Sequence, residues 1–302
     1  MRVALVGAVE STQCAMRAML AAEECELVLV ATLEAELSKR HSDFVDLAPL
    51  AQEHGVDLLR VRNINDDQAI AAMRVAAPDY IFVIGWSQLC HDEFLSIAPD
   101  RIIGYHPAPL PRMRGRAVLP WVILNDEKIT GATLFWMDGG TDTGDILEQR
   151  FLHVAPRETA RSLYDKQMIA LSSMVDGAIK GIASGSPRRD AQDETYATFA
   201  ARRRPSDGEI DWHRSAEQID RLIRAVGEPY PGAYCEYGTE RLTIWQASFT
   251  ANTTHHANPG QVVGLGDGFI DVVTEDGLLR IEKWDVTGDK PIRMHVILGR
   301  NS

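Results

Sequence analysis

Short apolar runs alternate with longer amphipathic stretches through the first half of the chain. The runs are rich in β-branched residues and lack polar alternation, which is typical of strands buried on both faces of a parallel sheet. Strands are predicted at residues 3–6, 27–32, 58–61 and 80–84, and helices at residues 11–22, 44–53 and 66–76. This order predicts an α/β fold with a Rossmann-like, doubly wound parallel sheet.

The pattern changes in the last third of the chain. A long amphipathic helix is predicted over residues 159–182, and the polar, arginine-rich segment 190–211 is interpreted as a linker. Beyond it, a helix is predicted at 216–226 and short strands at 233–237, 241–247, 260–265, 269–273 and 278–284. Closely spaced strands with glycine and proline turns predict a small C-terminal antiparallel β-barrel, OB-like in outline. The predicted domains are therefore residues 1–205 and 206–302.

The composition indicates a globular protein, and its net charge bears on which binding partners are expected. The 302 residues are 45% hydrophobic and 25% charged, which is enough for a full hydrophobic core. A formal net charge of −12 gives an acidic field that repels phosphate backbones, so no nucleic-acid partner is expected. The main basic group is Arg202, Arg203 and Arg204 with Arg188 and Arg189 nearby, either a solvated loop or an anion site.

Several features point to an intracellular protein without a metal. The four cysteines are scattered and lack metal-ligand spacing, as is typical of free thiols in a reducing compartment. The apolar start is too short for a signal peptide, and no stretch approaches the roughly 18 apolar residues needed to cross a membrane. His255 and His256 precede Pro259 and are interpreted as an exposed turn rather than a metal site. We expect a cytoplasmic protein with no membrane partner.

One class of nucleotide cofactor is disfavoured by the first predicted turn. Only Gly7 follows the first strand, and the chain has neither G-x-G-x-x-G nor a P-loop at that position. Those glycine patterns let backbone amides cradle phosphates. NAD and FAD are therefore not expected as cofactors.

A histidine is predicted on a stiff loop after the strand at residues 101–104. His106 is followed by Pro107, Pro109 and Pro111. The fixed φ angles of the prolines restrict this loop, which lowers the entropy lost in holding His106 in place. Ligands of open α/β sheets bind at the carboxyl ends of the strands, where this loop is predicted to lie.

A second loop, at residues 138–146, follows the strand predicted at 132–136. It carries Asp142 between Gly140 and Gly144, and glycines allow a backbone to approach a ligand closely. Taken singly, a loop histidine and a glycine turn are common features without catalytic meaning. Together, an imidazole and a carboxylate at strand ends predict an acid–base pair.

The two loops carry motifs that resemble one family. H-P-x-x-L-P-x-x-x-G-R, beginning at His106, and M-D-x-G-x-D-T-G-D-I, beginning at Met137, resemble the 10-formyltetrahydrofolate-dependent formyltransferases. That family includes glycinamide ribonucleotide, methionyl-tRNA and amino-sugar formyltransferases, and the hydrolase domain of formyltetrahydrofolate dehydrogenase. Residues 203–212 and 222–234 look most like the formyltransferase domain of the bacterial enzyme that modifies UDP-4-amino-4-deoxyarabinose. The resemblance covers the whole chain and also implies a C-terminal barrel.

The resemblance implies a catalytic function for residues 1–205. His106 and Asp142 match two members of the family's Asn, His and Asp triad, but the asparagine position is Gly104 here. The dehydrogenase's hydrolase domain also lacks that asparagine and shares the Y-H-P signature at residues 105–107. Loss of one oxyanion donor typically lowers the rate by ~10²–10³.

The resemblance also implies a carrier pocket. Trp86, close by in sequence, is interpreted as a core residue. The residues implied to bind the folate or lie near it are Gln88, Leu89, Cys90 and Arg116, with the backbone of Asp138, Gly139, Gly140 and Thr141. A flat, hydrogen-bonding heterocycle suits a slot lined by backbone.

The expected function is transfer of a formyl group from 10-formyltetrahydrofolate, a co-substrate, to an amino group of a nucleotide-linked amino sugar. In this hypothesis protonated His106 donates to the oxygen of the tetrahedral intermediate, while Asp142 orients the ring and helps to take a proton from the amine. Two alternatives stay open: a 10-formyltetrahydrofolate hydrolase with water as acceptor, and a folate-binding protein with inactive chemistry. Methionyl-tRNA is disfavoured by the net charge of −12. Whether the protein is a homodimer is left open.

Overall fold

The structure is a computed structural model that describes residues 1–40 and 42–299. The chain divides into two compact units. The first unit contains Met1–Val118, Ile129–His153 and Tyr164–Ala201, and the second contains Leu119–Lys128, Val154–Leu163 and the chain from Arg202 onward. The predicted domain boundary at residues 205 and 206 stays a prediction.

The elements of both units follow in chain order. The strands are β1 Arg2–Val6, β2 Glu26–Leu33, β3 Asp57–Val61, β4 Tyr80–Val83, β5 Ile102–His106, β6 Arg114–Gly115, β7 Ile129–Trp136, β8 Ile146–His153, β9 Phe199–Ala200, β10 Ala233–Tyr237, β11 Glu240–Ala251, β12 Val262–Gly266, β13 Phe269–Val273 and β14 Gly277–Val286. The helices are α1 Glu10–Ala21, α2 Ala48–His54, α3 Asp67–Ala76, α4 Asp92–Leu95, α5 Val118–Leu124, α6 Ala160–Ala183 and α7 Ala216–Val226.

A seven-stranded sheet with the order β3-β2-β1-β4-β5-β7-β8 forms the centre of the first unit. Its side chains enter two cores, because successive residues of a strand face opposite sides of a sheet. Val3 and Leu5 of β1 pack on the side of α1 and α6, whereas Ala4 and Val6 pack on the side of α3. The α/β fold with helices on both faces is therefore confirmed.

The prediction of a wholly parallel sheet is wrong at one edge. Strands β1 to β5 pair in parallel, but β7 pairs antiparallel with β5, and β8 pairs antiparallel with β7. Strand β8 was not predicted, because it lies at the sheet edge and its second half, residues 150–153, is mostly exposed. An edge strand lacks the apolar run of a buried one.

The second unit contains a five-stranded antiparallel sheet with the order β10-β11-β14-β13-β12. Helix α7 begins with a capping box, in which the Ser215 side chain accepts from the Gln218 N–H. Antiparallel pairing is confirmed for this part of the chain, and closure into a barrel stays a prediction. None of the helices in the described ranges has the length and apolar character required to span a membrane.

The segment interpreted as a linker is not one over residues 190–200. Asp190 and Ile146 exchange backbone hydrogen bonds of 2.8 and 3.1 Å, and β9 pairs in parallel with β6. Both contacts lie within the first unit. The polar composition of this segment therefore reflects hydrogen bonding to other loops rather than solvent exposure alone.

Candidate active site

His106 is the last residue of β5 and not part of the following loop, which corrects the sequence prediction. Only 4% of the residue is exposed. Its ring Nε2 lies 2.7 Å from the carbonyl oxygen of Met113. A carbonyl can only accept, so Nε2 carries a proton and donates in this contact.

Asp142 lies beside the other ring nitrogen. Its Oδ2 is 3.5 Å from Nδ1 of His106 and accepts a hydrogen bond of 2.9 Å from the backbone N–H of Gly115. Both nitrogens of the imidazole therefore face oxygen acceptors, an arrangement that the doubly protonated ring satisfies best. The geometry can hold a positive charge on the ring, and the contact of Nδ1 with Asp142 is the longer of the two.

The path of the chain to Asp142 differs from the one predicted. Because β7 is antiparallel to β5, Trp136 at its end pairs with Ile103, while His106 lies beside Thr133. The carboxyl end of β7 therefore lies beside the amino end of β5, whereas His106 lies at the carboxyl end of β5. The loop after β7 returns along the sheet to bring Asp142 to the imidazole.

Two glycines make this return possible. A Cβ on Gly144 would overlap the carbonyl oxygen of Trp136, and a Cβ on Gly140 would overlap Oγ1 of Thr143. Asp138 holds the turn between them, since its Oδ1 accepts from the Gly140 N–H at 2.9 Å and from the Thr143 hydroxyl at 2.7 Å. The side chain of Asp138 therefore shapes the loop. Asp138, Gly139, Gly140 and Thr141 are all exposed on it.

The proline loop is fastened to β7 and β8 by side chains. The Thr133 hydroxyl donates to the carbonyl of Ala108 at 2.7 Å, and Nε2 of Gln149 donates to the carbonyl of Leu110 at 2.9 Å. Proline stiffness is thus supplemented by hydrogen bonds from two neighbouring strands. Together they limit the conformations open to the loop after His106.

A buried glutamine of α6 supports the same loop from the other face. Nε2 of Gln167 donates to the carbonyls of Pro107 and Gly131 at 3.2 and 2.9 Å, and its Oε1 accepts from the Tyr105 hydroxyl at 2.8 Å. Burial raises the pKa of the Tyr105 hydroxyl, so it stays protonated and remains a donor. The residues before and after His106 are therefore both held by Gln167.

The position of the expected asparagine is filled by an aromatic ring. A Cβ on Gly104 would lie 2.6 Å from Cζ of Phe135 and 3.1 Å from Cγ of Met137. Ordinary carbon contacts are about 3.5–4.0 Å. Without movement of Phe135, an amide side chain cannot occupy this site.

The segment implied to bind the carrier is held by its own side chains. Nε2 of Gln88 donates to the carbonyl of Arg62 at 2.7 Å, and its Oε1 accepts from the Ile64 N–H at 3.2 Å. Gln88 therefore anchors the segment to the turn after β3. Leu89 is 63% exposed, whereas burial raises the pKa of the half-buried Cys90 thiol to about 12.

Asn65 completes this anchor and was missed in the sequence. Its Nδ2 donates to the carbonyl of Leu89 at 2.8 Å, and its Oδ1 accepts from the His91 N–H at 2.8 Å. Arg116 donates from Nη2 to the carbonyl of Ser87. The structure thus joins Arg116 to the segment carrying Gln88, Leu89 and Cys90.

A group of residues near His106 and Asp142 was also missed. Arg114 belongs to the motif, but no function was assigned to it, and Gln192, Glu194 and Thr198 lie in the supposed linker. Arg114 is 2% exposed, and its guanidinium binds Glu194 and Gln192. No local pattern in a polar segment marks such residues, because their partners are 78 and 80 residues away in sequence.

In the arginine run 202–204, considered above as an anion site, the central arginine makes contacts within the protein. The Arg203 guanidinium lies over the ring of Trp121 at 5.0 Å and donates to the carbonyl of Asp207 at 2.6 Å. Arg202 and Arg204 are exposed. In the described part of the chain, His, Cys, Asp and Glu residues form no group of three or more that could hold a metal ion.

The same chain matches known family models over most of its length. Residues 1–173 match the family described as "Formyl transferase", and residues 203–301 match "Formyl transferase, C-terminal domain". The chain belongs to the formyl transferase family. The resemblance noted for the His106 and Asp142 motifs is thereby confirmed at the level of the family.

This formyltransferase is similar to several characterised proteins. A methionyl-tRNA formyltransferase of Geobacter metallireducens is 32% identical over 241 residues, which cover 80% of this chain and 76% of that protein. The structure of WlaRD, a sugar 3N-formyl transferase solved with dTDP and 5-N-formyl-THF, has a TM-score of 0.66 at 18% identity and covers 94% of this chain and 97% of that one.

Two further structures share the fold of this formyltransferase. An N-formyltransferase from Helicobacter canadensis, in complex with folinic acid and dTDP-3-aminofucose, has a TM-score of 0.67 at 17% identity and covers 94% of this chain and 99% of that one. HypX from Aquifex aeolicus has a TM-score of 0.66 at 18% identity and covers 94% of this chain. The chain spans only 45% of the length of HypX.

Proposed function

We propose that this formyltransferase moves a formyl group from 10-formyltetrahydrofolate to the amino group of a nucleotide-linked amino sugar. The observation that carries the transfer step is the pairing of buried His106 with half-buried Asp142, whose Nδ1 and Oδ2 lie 3.5 Å apart. Attack of the amine on the formyl carbon gives a tetrahedral intermediate with an anionic oxygen. The protonated imidazole donates to that oxygen, and the carboxylate helps to remove the proton of the amine. Collapse of the intermediate then breaks the bond between the formyl carbon and N10 of the carrier, and N10 takes up a proton as tetrahydrofolate leaves.

The carrier is proposed to bind between the two catalytic loops and the segment after β4. Structures with the same fold contain 5-N-formyl-THF, folinic acid or tetrahydrofolic acid, which supports a folate carrier here. Exposed Leu89 on an anchored segment offers an apolar contact for a flat ring, with Cys90 beside it. The carrier would contact Gln88, Leu89, Cys90, Arg116, Asp138, Gly139, Gly140 and Thr141.

An amino sugar is proposed as acceptor for two reasons. Residues 203–212 and 222–234 resemble an aminoarabinose formyltransferase domain. Of the neighbours in fold, WlaRD is described as a sugar 3N-formyl transferase, and the Helicobacter canadensis protein is in complex with dTDP-3-aminofucose. A net charge of −12 also favours a small acceptor over a polyanion. The closed C-terminal barrel expected from the family belongs to this proposal as well.

Two other acceptors have an observation in their favour. The 32% identity to a methionyl-tRNA formyltransferase supports an aminoacyl-tRNA. The glycine at position 104, with Phe135 filling the place of the triad asparagine, supports water as acceptor and hence hydrolysis. The same assay distinguishes all three.

The test supplies 10-formyltetrahydrofolate alone, with nucleotide-linked amino sugars, or with methionyl-tRNA, and follows release of tetrahydrofolate. We expect release that depends on the sugar nucleotide. Release without any acceptor would mean hydrolysis, and release only with methionyl-tRNA would identify the acceptor as tRNA. No release in any mixture would contradict the transfer function.

Variants of the pair test the chemistry. His106→Gln and Asp142→Asn are each expected to lower kcat by about 10²–10⁴, the range for loss of a general acid or base. Asparagine is chosen because Asp142 has a left-handed backbone with φ of 55°, which asparagine adopts readily. His54→Gln and Asp67→Asn, at exposed helical positions, are the matched controls. Near-normal turnover in either site variant would refute the assignment.

A further inference from the structure

Residues 190–200 contact both loops that carry the catalytic pair. At one end Asp190 exchanges backbone hydrogen bonds with Ile146, just after the glycine loop. Towards the other end the Thr198 hydroxyl accepts from the Met113 N–H at 2.8 Å, and the Thr198 carbonyl accepts from the Arg114 N–H at 2.9 Å. This segment therefore spans from the loop of Asp142 to the loop that follows His106.

Three consecutive residues of the loop after His106 connect the pair to this segment. The carbonyl of Met113 accepts from His106, and the N–H of Gly115 donates to Asp142. Between them, the buried Arg114 guanidinium binds Glu194 at 2.6 and 2.8 Å. The position of the Arg114 side chain therefore affects the contacts of His106 and Asp142 alike.

Gln192 joins Arg114 to the backbone of the Asp142 loop. Its Oε1 accepts from Nε and Nη2 of Arg114 at 3.2 and 2.7 Å. Its Nε2 donates to the carbonyls of Asp142 and Gly144 at 2.9 and 2.7 Å. One side-chain amide thus uses two acceptor and two donor contacts, and its orientation is determined because the oxygen faces N–H groups and the nitrogen faces carbonyls.

We propose that Gln192 is a positioning residue that sets the distance between the His106 imidazole and the Asp142 carboxylate. This inference rests on the proposed function, in which that pair performs the chemistry. Gln192 itself contacts neither ring nor carboxylate and acts through Arg114 and through the backbone of residues 142 and 144. Errors of about 1 Å in the placement of catalytic groups can lower rates ~10²-fold.

The test compares two variants of Gln192 that distinguish the acceptor contacts of its amide oxygen from the donor contacts of its amide nitrogen. Gln192→Ala removes all four contacts, whereas Gln192→Glu keeps the acceptor for Arg114 but places an oxygen against two carbonyls. We expect kcat to fall ~10–100-fold in both, with the KM values of carrier and acceptor within about threefold of the parent protein. The matched control is Gln52→Ala on the exposed face of α2, which should leave both constants unchanged.

A second readout does not depend on turnover. Side-chain ¹⁵N NMR of the His106 ring, assigned by its loss in His106→Gln, should shift in both Gln192 variants and stay unchanged in Gln52→Ala. If the parent protein shows no transfer, the proposed function fails, yet the NMR spectra still test the position of Gln192. Because glutamate matches glutamine in size, Gln192→Glu remains informative if Gln192→Ala does not fold.

The proposal is overturned by either of two results. One is a kcat within threefold of the parent protein in folded Gln192→Glu, with unshifted His106 resonances. The other is a loss confined to KM, which would mean that Gln192 serves substrate binding and not the geometry of the pair.

Discussion

Gly104 shows how one small residue changes the surroundings of His106. The asparagine that the family resemblance implies would start at this Cα, but Cζ of Phe135 lies 2.6 Å from the place of its Cβ. The ring of Phe135 is buried, so it cannot turn outwards without disturbing the core. A side chain at position 104 and the ring of Phe135 therefore compete for the same space.

A double-mutant cycle measures this coupling. Gly104→Asn alone should destabilise the protein by about 1–3 kcal/mol through overpacking. Phe135→Leu removes the ring atoms that clash, so the double variant should be more stable than the sum of the two single changes predicts. Thermal unfolding of the four proteins gives the coupling free energy, and strict additivity would show that Phe135 does not fill the asparagine site.

The thiol of Cys90 gives a prediction about pH dependence. Burial raises its pKa to about 12, so the reactive thiolate is scarce at neutral pH. Its alkylation by iodoacetamide should accelerate about tenfold per pH unit between pH 8 and pH 10, while free cysteine, with a pKa of about 8.5, levels off. Peptide mass spectrometry of the native protein follows both rates, and a plateau for Cys90 near pH 9 would contradict the prediction.

A bound folate should change the same measurement. If the carrier lies against Leu89 and Cys90, saturating 10-formyltetrahydrofolate should slow alkylation of Cys90 several-fold. Cys25 is the internal control, because it precedes β2 and burial raises the pKa of its thiol to about 11. Equal slowing of both thiols would indicate a general stabilisation instead of local protection.

Helix α7 contains two ion pairs with the same spacing and different burial. Asp220 is 0% exposed and binds both Arg224, at 2.9 Å, and Arg157, at 2.6 and 2.9 Å. Glu217 pairs with Arg221 at 2.6 Å on the exposed side. The chain thus offers an internal comparison of a buried and an exposed carboxylate on one helix.

The two carboxylates should contribute very differently to stability. Asp220→Asn leaves two guanidinium groups without their buried charge and should cost about 3 kcal/mol or more. Glu217→Gln should cost about 0.5 kcal/mol or less, as is usual for an exposed i,i+4 pair. Urea unfolding of the two variants and the parent protein gives both losses in stability. Equal losses would show that the buried Asp220 network contributes no more than the exposed pair.

The antiparallel direction of β7 determines the path by which the following loop reaches His106. Helices and buried strands follow from local periodicity, and the predictions for β1 to β4, α6 and α7 agree with the structure within a few residues. The antiparallel direction of β7 does not follow from its own sequence, because an apolar run reads the same in either direction. Direction depends on the partner strand and on the length of the connection.

The net charge of −12 leads to a prediction for the whole molecule. A sugar nucleotide offers about two phosphate charges, so kcat/KM should fall by less than about tenfold between 50 and 200 mM salt. If the acceptor were tRNA, recognised through many phosphates, kcat/KM would fall by ~10³ or more over the same range of salt concentration. Steady-state kinetics at four salt concentrations makes the comparison, and a steep salt dependence would favour tRNA as acceptor.

The sequence by itself determined the class of fold and singled out His106 and Asp142 as the candidate catalytic pair. Apolar periodicity reports which residues are buried, and the two loop motifs keep His106 and Asp142 at recognisable positions. Both signals are local, because each is contained in a short window of the chain.

Only the tertiary structure decided how that pair is held. The glycine loop starts beside the amino end of β5 and reaches His106 at the carboxyl end of that strand. Phe135 fills the position expected for the asparagine, and Arg114 binds Gln192, which is 78 residues away in sequence. Each of these contacts joins segments whose sequences carry no mark of one another. Hydrogen bonding and packing between distant segments are set by the completed fold, and a polar stretch such as 190–200 looks like a linker until its partners are in place.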